Sequence, residues 1–361
     1  MDRHDDAAVT HTVLAAHSPA AGQVTLHPGP GTSSDTALAC DLLTALGKPS
    51  QLAGRFPGGR QPLWEAAAAW IHAMAITRLT VLRAHRLTER RLYRLLELRA
   101  RTGCSLVLVC HRPRTPAALY QALLTVDHVY AEAAAVLQPS WQHRHPHLNT
   151  VPPPTAGARE AARWLTLPSL DRLVSYDSPT PCPGPCTPPP PAWDNRLQPT
   201  PLTPRAAALV TARIHASTAH PRHAGALAAA IITNASFQQL ATARPLDLDE
   251  TGTTLALHDR TRYTDGCATH PVPAWARSFL RTAARFAQLA ASPDEPLLAR
   301  PEDRPLLLRT AEAAKLRPPQ PSAAGRTAPR GRAVWDWRET QEAARYKDLL
   351  ASRIHGRHPS T

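Results

Sequence analysis

The stretch ITRLTVLRAHRLTERRLYRLLELRARTGCSLVLVCHRP, residues 76–113, decides the fold class of this chain. An apolar run at 79–82 is followed by a leucine-spaced helical pattern over 88–101 and by a second apolar run at 105–110. A strand, a helix and a strand in this order favour two parallel strands that are joined by a crossover helix. Both runs end on polar residues, so polar side chains are expected at the carboxyl edge of a sheet.

The same alternation continues on both sides of this stretch. It begins with a strand at 23–27, a helix over 35–47 and a helix over 62–76, and it ends with a helix over 115–125. Gly47 closes the first of these helices, as glycine commonly does. We therefore predict an α/β fold with a parallel sheet and flanking helices.

Composition divides the chain into six predicted segments. We predict a flexible N-terminus at 1–20, the α/β domain at 21–136, a proline-rich linker at 137–204, a mainly α-helical domain at 205–316, a tether at 317–333 and an amphipathic C-terminal helix at 334–361. Proline-dense segments cannot continue a helix or a central strand, which is why the linker interrupts the pattern. Within 205–316 the pattern predicts helices over 205–218, 224–241 and 273–291, and one strand at 253–259.

The charge of the chain is strongly positive. The formal net charge is +13, the pI is about 10.2, and arginine carries nearly all of the positive charge. Such a balance favours polyanionic partners: nucleic acid, acidic membrane surfaces or acidic proteins. The sequence has no long apolar run that would predict a membrane span, and its six scattered cysteines do not form a disulfide framework. A cytoplasmic location without membrane contact is expected.

The first motif is VTLHPGPGTSSDTALA, residues 24–39. A P-loop has the pattern G-x-x-x-x-G-K-[ST] between a strand and a helix. Placed on Gly29, the pattern fits this glycine and the final Thr36, and it includes Gly31 within the loop. Ser34 stands where the second glycine is required, and Asp35 stands where the lysine is required.

The second motif lies about 45 residues further on. Four apolar residues followed by Asp-Glu-Ala-His would make a metal-holding strand end. Here Leu82 replaces the aspartate and Arg83 replaces the glutamate, while the alanine and His85 remain. The next strand ends on His111, at the place where a sensor residue is expected.

In these motifs and their order, residues 22–135 resemble the AAA-type ATPases, in particular the accessory ATPases of bacterial transposition systems. The resemblance implies a vestigial nucleotide pocket. Its residues would be Gly29, Gly31, Asp35, Thr36, Arg83, His85 and His111. The alternative is an ordinary α/β domain in which these residues form a plain loop and plain strand ends.

The replaced residues decide which chemistry the resemblance can imply. Asp35 puts a negative charge where phosphate would sit, and Leu82 offers no oxygen ligand to Mg²⁺. Arg83 cannot take a proton from water at neutral pH. We therefore expect no catalytic residue, no bound metal and no required cofactor, and any ATP that binds is not expected to be hydrolysed. An active ATPase with a rearranged site is the alternative.

A second segment, 231–259, resembles the start of a tyrosine-recombinase catalytic domain. The matching residues are Thr233, Leu240, Arg244, Asp247, Leu248 and Asp249. Ser236 replaces the first catalytic arginine and Gln239 replaces a glutamate, while Tyr346 would be the only candidate nucleophile. The resemblance implies a module that is derived from a recombinase but lacks the cations that phosphoryl transfer requires.

Arginine is concentrated in residues 78–114, which hold ten arginines against two glutamates, a local balance of +8. The candidates for nucleic-acid binding are Arg86, Arg90, Arg91, Arg94 and Arg101. Together with the resemblance, they favour a DNA-associated accessory or regulatory protein of a mobile genetic element. Its expected partners are nucleic acid without sequence preference and a transposase, integrase or intact ATPase. A protein-interaction module without nucleic-acid binding is the alternative.

Two further groups of side chains have the chemistry of metal ligands. Residues 143, 145 and 147 are histidines, and Cys182 and Cys186 form a C-x₃-C pair. A zinc site needs ligand pairs at a compatible spacing on a rigid frame. Both groups lie in proline-rich sequence, so no metal site is expected from them.

Overall fold

A computed structural model describes residues 1–29, 32–54, 56, 59–133, 163–174, 199–258, 267–290 and 296–319. Residues Met1–Arg317 form one compact unit, and Pro318–Thr361 form a second unit of which only 318–319 are described. Several predictions fall outside the described residues. They are those for Gly31, the three histidines at 143, 145 and 147, the cysteine pair, most of the linker and the tether, Tyr346 and the C-terminal helix.

Three parallel strands form the sheet that carries the candidate site. They are β1 (Gln23–Leu26), β2 (Arg78–Val81) and β3 (Ser105–Leu108), in the spatial order β1-β2-β3. Leu26 pairs with Val81, and Val81 pairs with Leu108, so the three carboxyl ends lie level with one another. The predicted α/β fold with a parallel sheet is confirmed.

Helices cover the main face of this sheet. They are α2 (Asp35–Ala45), α3 (Leu63–Ala73), α4 (Glu89–Thr102) and α5 (Ala117–Leu123), numbered after the N-terminal helix α1 (Ala7–Ala15). In α4 the leucines at 92, 95, 96 and 98 are buried, as the helical spacing requires. The helix ends at Gly103, whose φ of 70° is in the left-handed region that favours glycine.

Helix α1 lies in the segment that was expected to be flexible. Asp6 caps it by accepting a hydrogen bond of 2.8 Å from the backbone N–H of Ala8. On the opposite face of the sheet from α2, Val13 packs with Leu82 and Val109 in a small separate apolar cluster. The N-terminus therefore covers part of the sheet, which the sequence analysis did not foresee.

The second half of the unit is mainly helical. Its elements are α6 (Pro204–Ser217), α7 (Pro221–Thr233), α8 (Phe237–Thr242), β4 (Thr254–Leu257), β5 (Ala268–Pro271), α9 (Ala274–Leu289) and α10 (Arg304–Ala313). The single helix expected over 224–241 is wrong. Asn234, with a φ of 56°, ends α7, and Ser236 begins a separate helix.

The two halves share one hydrophobic core. Helix α3 is buried on all sides from Ala66 to Ile71, because α2 and α4 pack on one side of it and α9 on another. The indole Nε1 of Trp70 donates a hydrogen bond of 2.8 Å to the backbone oxygen of Ala219, and Phe279 packs edge-on against its ring. The domain boundaries at 136 and 205 remain predictions.

A lysine lies inside this shared core. Lys48 is 4% exposed, and its Nζ lies 3.5 Å from the ring centroid of Trp70 and in contact with Nδ1 of His215. Burial lowers the pKa of Lys48 to about 6 and, together with Lys48, lowers the pKa of His215 to about 3. At neutral pH both groups are therefore uncharged, and the amine packs against the indole as a neutral group.

Two more histidines are buried at the start of α7. The rings of His220 and His223 stack with their centroids 4.3 Å apart. Burial is the main cause that lowers both pKa values: that of His220 falls well below its usual value and that of His223 falls to about 4, although Asp303 acts in the opposite direction on His223. The neutral imidazole is the form that this core accommodates.

No helix among the described residues is long and apolar enough to cross a membrane.

Candidate functional site

The carboxyl edge of the sheet brings three of the predicted site residues together. Arg83 and His85 follow β2, and His111 follows β3. The backbone N–H of His111 donates a hydrogen bond of 3.3 Å to Nδ1 of His85, and the two ring centroids are 6.1 Å apart. The backbone N–H of Ala84 donates to the oxygen of Val109 at 2.9 Å, which ties the two strand ends to each other.

The N-terminus of α2 is the second part of the site. Ser34 caps the helix by accepting a hydrogen bond of 3.0 Å from the N–H of Ala37, and Asp35 begins the helix, as predicted. The Asp35 carboxylate forms an ion pair with Nε of Arg90 at 2.6 Å. Thr36 is exposed. A helix N-terminus can bind phosphate, but here the chain's own carboxylate lies in this position.

The loop before α2 differs from a phosphate-binding loop. A phosphate cradle uses glycine for a positive φ or for close approach of the backbone. The φ of Gly29 is not in the positive range, and a Cβ at this position would meet only the Thr32 hydroxyl, at 3.9 Å. Thr32 itself donates a hydrogen bond to the carboxylate of Asp41. The described part of the loop therefore has no position that demands glycine.

An arginine of α4 holds this loop from the opposite side. Nη1 of Arg91 donates a hydrogen bond of 2.9 Å to the backbone oxygen of Thr32, and Nη2 donates to that of Ser33. The loop thus presents carbonyl oxygens to a cation. A nucleotide phosphate would require backbone N–H groups in the same place.

The position of the missing metal ligand is also closed. Leu82 is fully buried in the apolar cluster with Val13 and Val109. Its backbone N–H donates a hydrogen bond of 2.9 Å to the oxygen of Leu26. The structure therefore uses this residue for packing.

Acidic residues from the N-terminus lie over the same edge. Oδ2 of Asp2 is 2.7 Å from Nδ1 of His111, and Oδ1 of Asp5 is 3.2 Å from the same nitrogen. Asp5 also lies 3.7 Å from a guanidinium nitrogen of Arg83. The sequence analysis missed both aspartates, because no spacing signal connects residues 2 and 5 with residue 111.

Several contacts fasten this N-terminal segment. The α-ammonium group of Met1 donates to the oxygen of Ala131 at 2.5 Å, and the N–H of Ala133 donates to the Met1 oxygen at 2.8 Å. Arg3 and Glu132 form an exposed ion pair at 3.0 Å. The N–H of Asp2 donates to the oxygen of Cys110 at 2.9 Å, beside the end of β3. The position of the two acids is therefore held by backbone contacts.

Asp2, Asp5 and His111 are also the described group that could hold a metal ion, since their ligand atoms lie within 4.8 Å of one another. Carboxylate and imidazole suit a divalent transition metal. Asp2 and His111 are already joined by a direct hydrogen bond, and Arg83 supplies a positive charge next to Asp5. The site therefore balances its charges with its own side chains.

The edge is electropositive around these acids. Burial lowers the pKa of His27, and the nearby Arg83, His111 and Arg86 lower it further. The pKa of His85 is lowered by burial first and then by the cations around it, of which Arg112 contributes most. These are the effects expected where several cationic groups converge.

The predicted nucleic-acid residues differ in how far the protein uses them itself. Arg90 and Arg91 hold the start of α2 and its loop, Arg94 pairs with Glu97 at 2.8 Å, and Arg101 pairs with Glu97. Arg86 is exposed and forms no ion pair within the described part of the chain. Arg112 and Arg114, which were outside the predicted set, share these two properties with Arg86.

The segment that resembles a recombinase uses its polar residues locally. Ser236 Oγ accepts from the N–H of Gln239, and Gln239 Oε1 accepts from the N–H of Ser236 at 2.9 Å, which is a capping box at the start of α8. Asp249 accepts hydrogen bonds from Thr251, Thr253 and the N–H of Thr254 in the turn before β4. These contacts account for the residues as helix and turn formers.

Comparisons with known proteins identify no relative of this chain. The chain matches no protein-family model, no curated protein and no solved structure.

Proposed function

We propose that this protein is a non-hydrolysing, ATPase-like accessory protein that associates with DNA. The absence of ATP hydrolysis is inferred from one observation. Arg91 donates hydrogen bonds to the carbonyl oxygens of Thr32 and Ser33. A loop fixed in this way offers a phosphate the oxygen atoms of the backbone, which repel it. The proposal places the protein beside a transposase, integrase or intact ATPase of a mobile element.

The charges at the sheet edge support the same proposal. Asp35 at the start of α2 pairs with Arg90, Asp5 lies next to Arg83, and Asp2 is hydrogen-bonded to His111. Nucleotide would have to displace these pairs and then bear the repulsion of three carboxylates. Two like charges at about 4 Å cost on the order of 1–4 kcal/mol near a protein surface.

The purified protein is expected neither to bind nor to hydrolyse ATP. We expect no binding heat and no phosphate release at ~1 mM MgATP, the upper end of usual KM values. Calorimetry and a phosphate-release assay measure the two properties separately. Turnover that copurifies with the protein and disappears in the Thr36→Ala variant would contradict the proposal and favour an active ATPase with a rearranged site.

Association with DNA is supported by the exposed arginines at the same edge, Arg86, Arg112 and Arg114. Reversing all three to glutamate is expected to weaken binding to a duplex of mixed sequence by at least tenfold. Because each phosphate contact contributes about 0.9 to the slope of log K against log salt, the slope should flatten by roughly 2–3. Fluorescence anisotropy over a salt series measures both effects.

The matched control reverses three other exposed arginines, Arg277, Arg281 and Arg309 of α9 and α10. The total charge falls by the same amount, so a general charge effect would weaken DNA binding equally in both variants. No binding by the unmodified protein at ~50 mM salt, where non-specific DNA binders bind readily, would remove nucleic acid from the proposal. The remaining function would be that of a protein-interaction module.

A further inference from the structure

Among the described residues, strand β3 pairs with β2 on one side and with no strand on the other. The backbone N–H groups of Ser105 and Val109 donate to the oxygens of Thr77 and Val81 next to β2. Because backbone groups alternate direction along a strand, the N–H and C=O groups of Leu106 and Leu108 point away from β2. Unpaired backbone groups on such an edge are a template for a further strand.

A groove of ≈ 970 Å³ lies along this outer side of β3, and its walls are mainly apolar. Leu106 and Leu108 line it together with Leu119 and Leu123 of α5 and residues 126–131. The four residues of β3 span about 13 Å, the length of a short extended peptide. The groove therefore matches an extended chain in both length and character.

Exposed apolar side chains border the groove. Val129 is 92% exposed and Tyr130 is 50% exposed, and both are part of the lining. Tyr120 and Leu124, at the end of α5, are also largely exposed. Apolar side chains concentrated beside a free strand edge indicate a surface that a partner covers.

The chain's own N-terminus already uses one end of this edge. The N–H of Asp2 donates to the Cys110 oxygen, just beyond β3, and Met1 pairs with residues 131 and 133. The first two residues thus lie beside the carboxyl end of β3, while no described residue bonds to the outer side of the strand at Leu106 and Leu108. A peptide in the groove would continue this arrangement toward the amino end of the strand.

The charges at the groove favour an acidic occupant. Arg99, near the end of α4, lines the groove and forms no ion pair among the residues that the structure describes. Met1, whose α-ammonium group donates to the Ala131 oxygen, is also part of the lining, and Asp127 is the acidic side chain of the lining. The exposed Arg99, in a chain whose net charge is +13, therefore favours an acidic occupant.

We propose that the groove beside β3 binds an extended segment of a partner protein, which is apolar at alternate positions, acidic at its ends, and adds to the sheet as a strand. Backbone hydrogen bonds to Leu106 and Leu108 provide affinity, and the apolar walls and Arg99 select the side chains. This inference is independent of nucleotide or DNA binding, so it stands or falls separately from the proposed function.

The test uses a fluorescein-labelled peptide of sequence Glu-Val-Thr-Val-Thr-Val-Glu and two N-methylated forms of it. One form carries methyl groups on the valine nitrogens and the other on the threonine nitrogens, so each blocks a different edge of the peptide. The form whose methyl groups face away from β3 is expected to bind with the affinity of the parent peptide. The form whose methyl groups face β3 is expected to bind at least tenfold more weakly, because it loses the hydrogen bonds to β3. Equal binding of all three peptides, or no binding at ~1 mM, overturns the proposal.

Amide hydrogen exchange locates the bound peptide. Exchange at Leu106 and Leu108 should be fast in the free protein and slow in the complex, while Ser105 and Val109 stay slow throughout because they already bond to β2. Protection of Leu106 and Leu108 in the free protein that disappears on dilution would assign the edge to a second copy of the chain and overturn the proposal.

The contribution of the Arg99 charge to peptide binding is tested with the variant Arg99→Glu. The variant Arg309→Glu, on α10, is the matched control. Arg99→Glu should weaken binding of the acidic peptide about fivefold or more and improve binding of the same peptide with lysine ends. Arg309→Glu should change neither affinity by more than about twofold. Equal effects of the two variants would remove Arg99 from the site and contradict an acidic partner.

Discussion

Replacing Lys48 by methionine is expected to raise the free energy of unfolding at pH 7 by roughly 2–4 kcal/mol. The side chain is 4% exposed, and burial lowers its pKa from 10.5 to about 6. Each unit of this shift represents about 1.4 kcal/mol, because the unfolded chain keeps the proton that the folded core excludes. Methionine fills a similar volume and requires no proton, although the loss of the contact with His215 subtracts about 1 kcal/mol.

The pH dependence separates this effect from better packing. Between about pH 6 and pH 10 the unfolded chain binds one more proton at Lys48 than the folded chain, so the stability of the unmodified protein should rise with pH in this window. In Lys48→Met this contribution disappears. Urea unfolding across the window measures it, with Lys315→Met as the control at a partly exposed lysine. Parallel curves for the unmodified protein and Lys48→Met would show that Lys48 keeps its proton in the core.

Mild acid is expected to unfold the protein cooperatively between about pH 6 and pH 4. Burial lowers the pKa values of His215 to about 3 and His223 to about 4, and it lowers that of His220 well below the usual value. As pH falls below 6.5, the unfolded chain takes up protons that the folded chain refuses. Three such histidines cost about 4 kcal/mol per pH unit, against a total stability of about 5–15 kcal/mol.

Far-UV and near-UV circular dichroism over this pH range detects the transition. His223→Leu should move its midpoint to lower pH, because one of the three proton-binding groups is removed from the unfolded chain. His11→Leu is the control, since His11 is exposed on α1. A protein that keeps its full stability at pH 4.5 would contradict the burial of neutral imidazole.

The local pattern predicted the sheet well, because strand and helix periods are properties of neighbouring residues. The alternation at 79–82, 88–101 and 105–110 corresponds to β2, α4 and β3, and Asp35 opens α2 as expected. The end of α7 at Asn234 was not predicted. In the sequence, an asparagine that ends a helix with a positive φ cannot be distinguished from a polar residue inside a longer helix. Helix α10 was also missed.

The sequence predicted only those site residues that directly follow a strand. Arg83 and His111 follow adjacent strands, so the parallel arrangement brings them to the same edge. The partners of these residues come from far along the chain: Asp2 and Asp5 from the N-terminus, and Arg91 from across the loop. Contacts between such distant residues depend on tertiary packing, which no periodicity in the sequence records.

The burial of α3 against α9 has a consequence for protein synthesis. Roughly 200 residues separate the end of α3 at Ala73 from the start of α9 at Ala274. At ~5–20 residues per second, a ribosome needs on the order of 10–40 s to make them. During this time the alanine-rich surface of α3 and the Trp70 ring lack their final cover. The nascent chain must therefore be kept from aggregating until its last third emerges, which makes it a natural client for chaperones that bind apolar segments during translation.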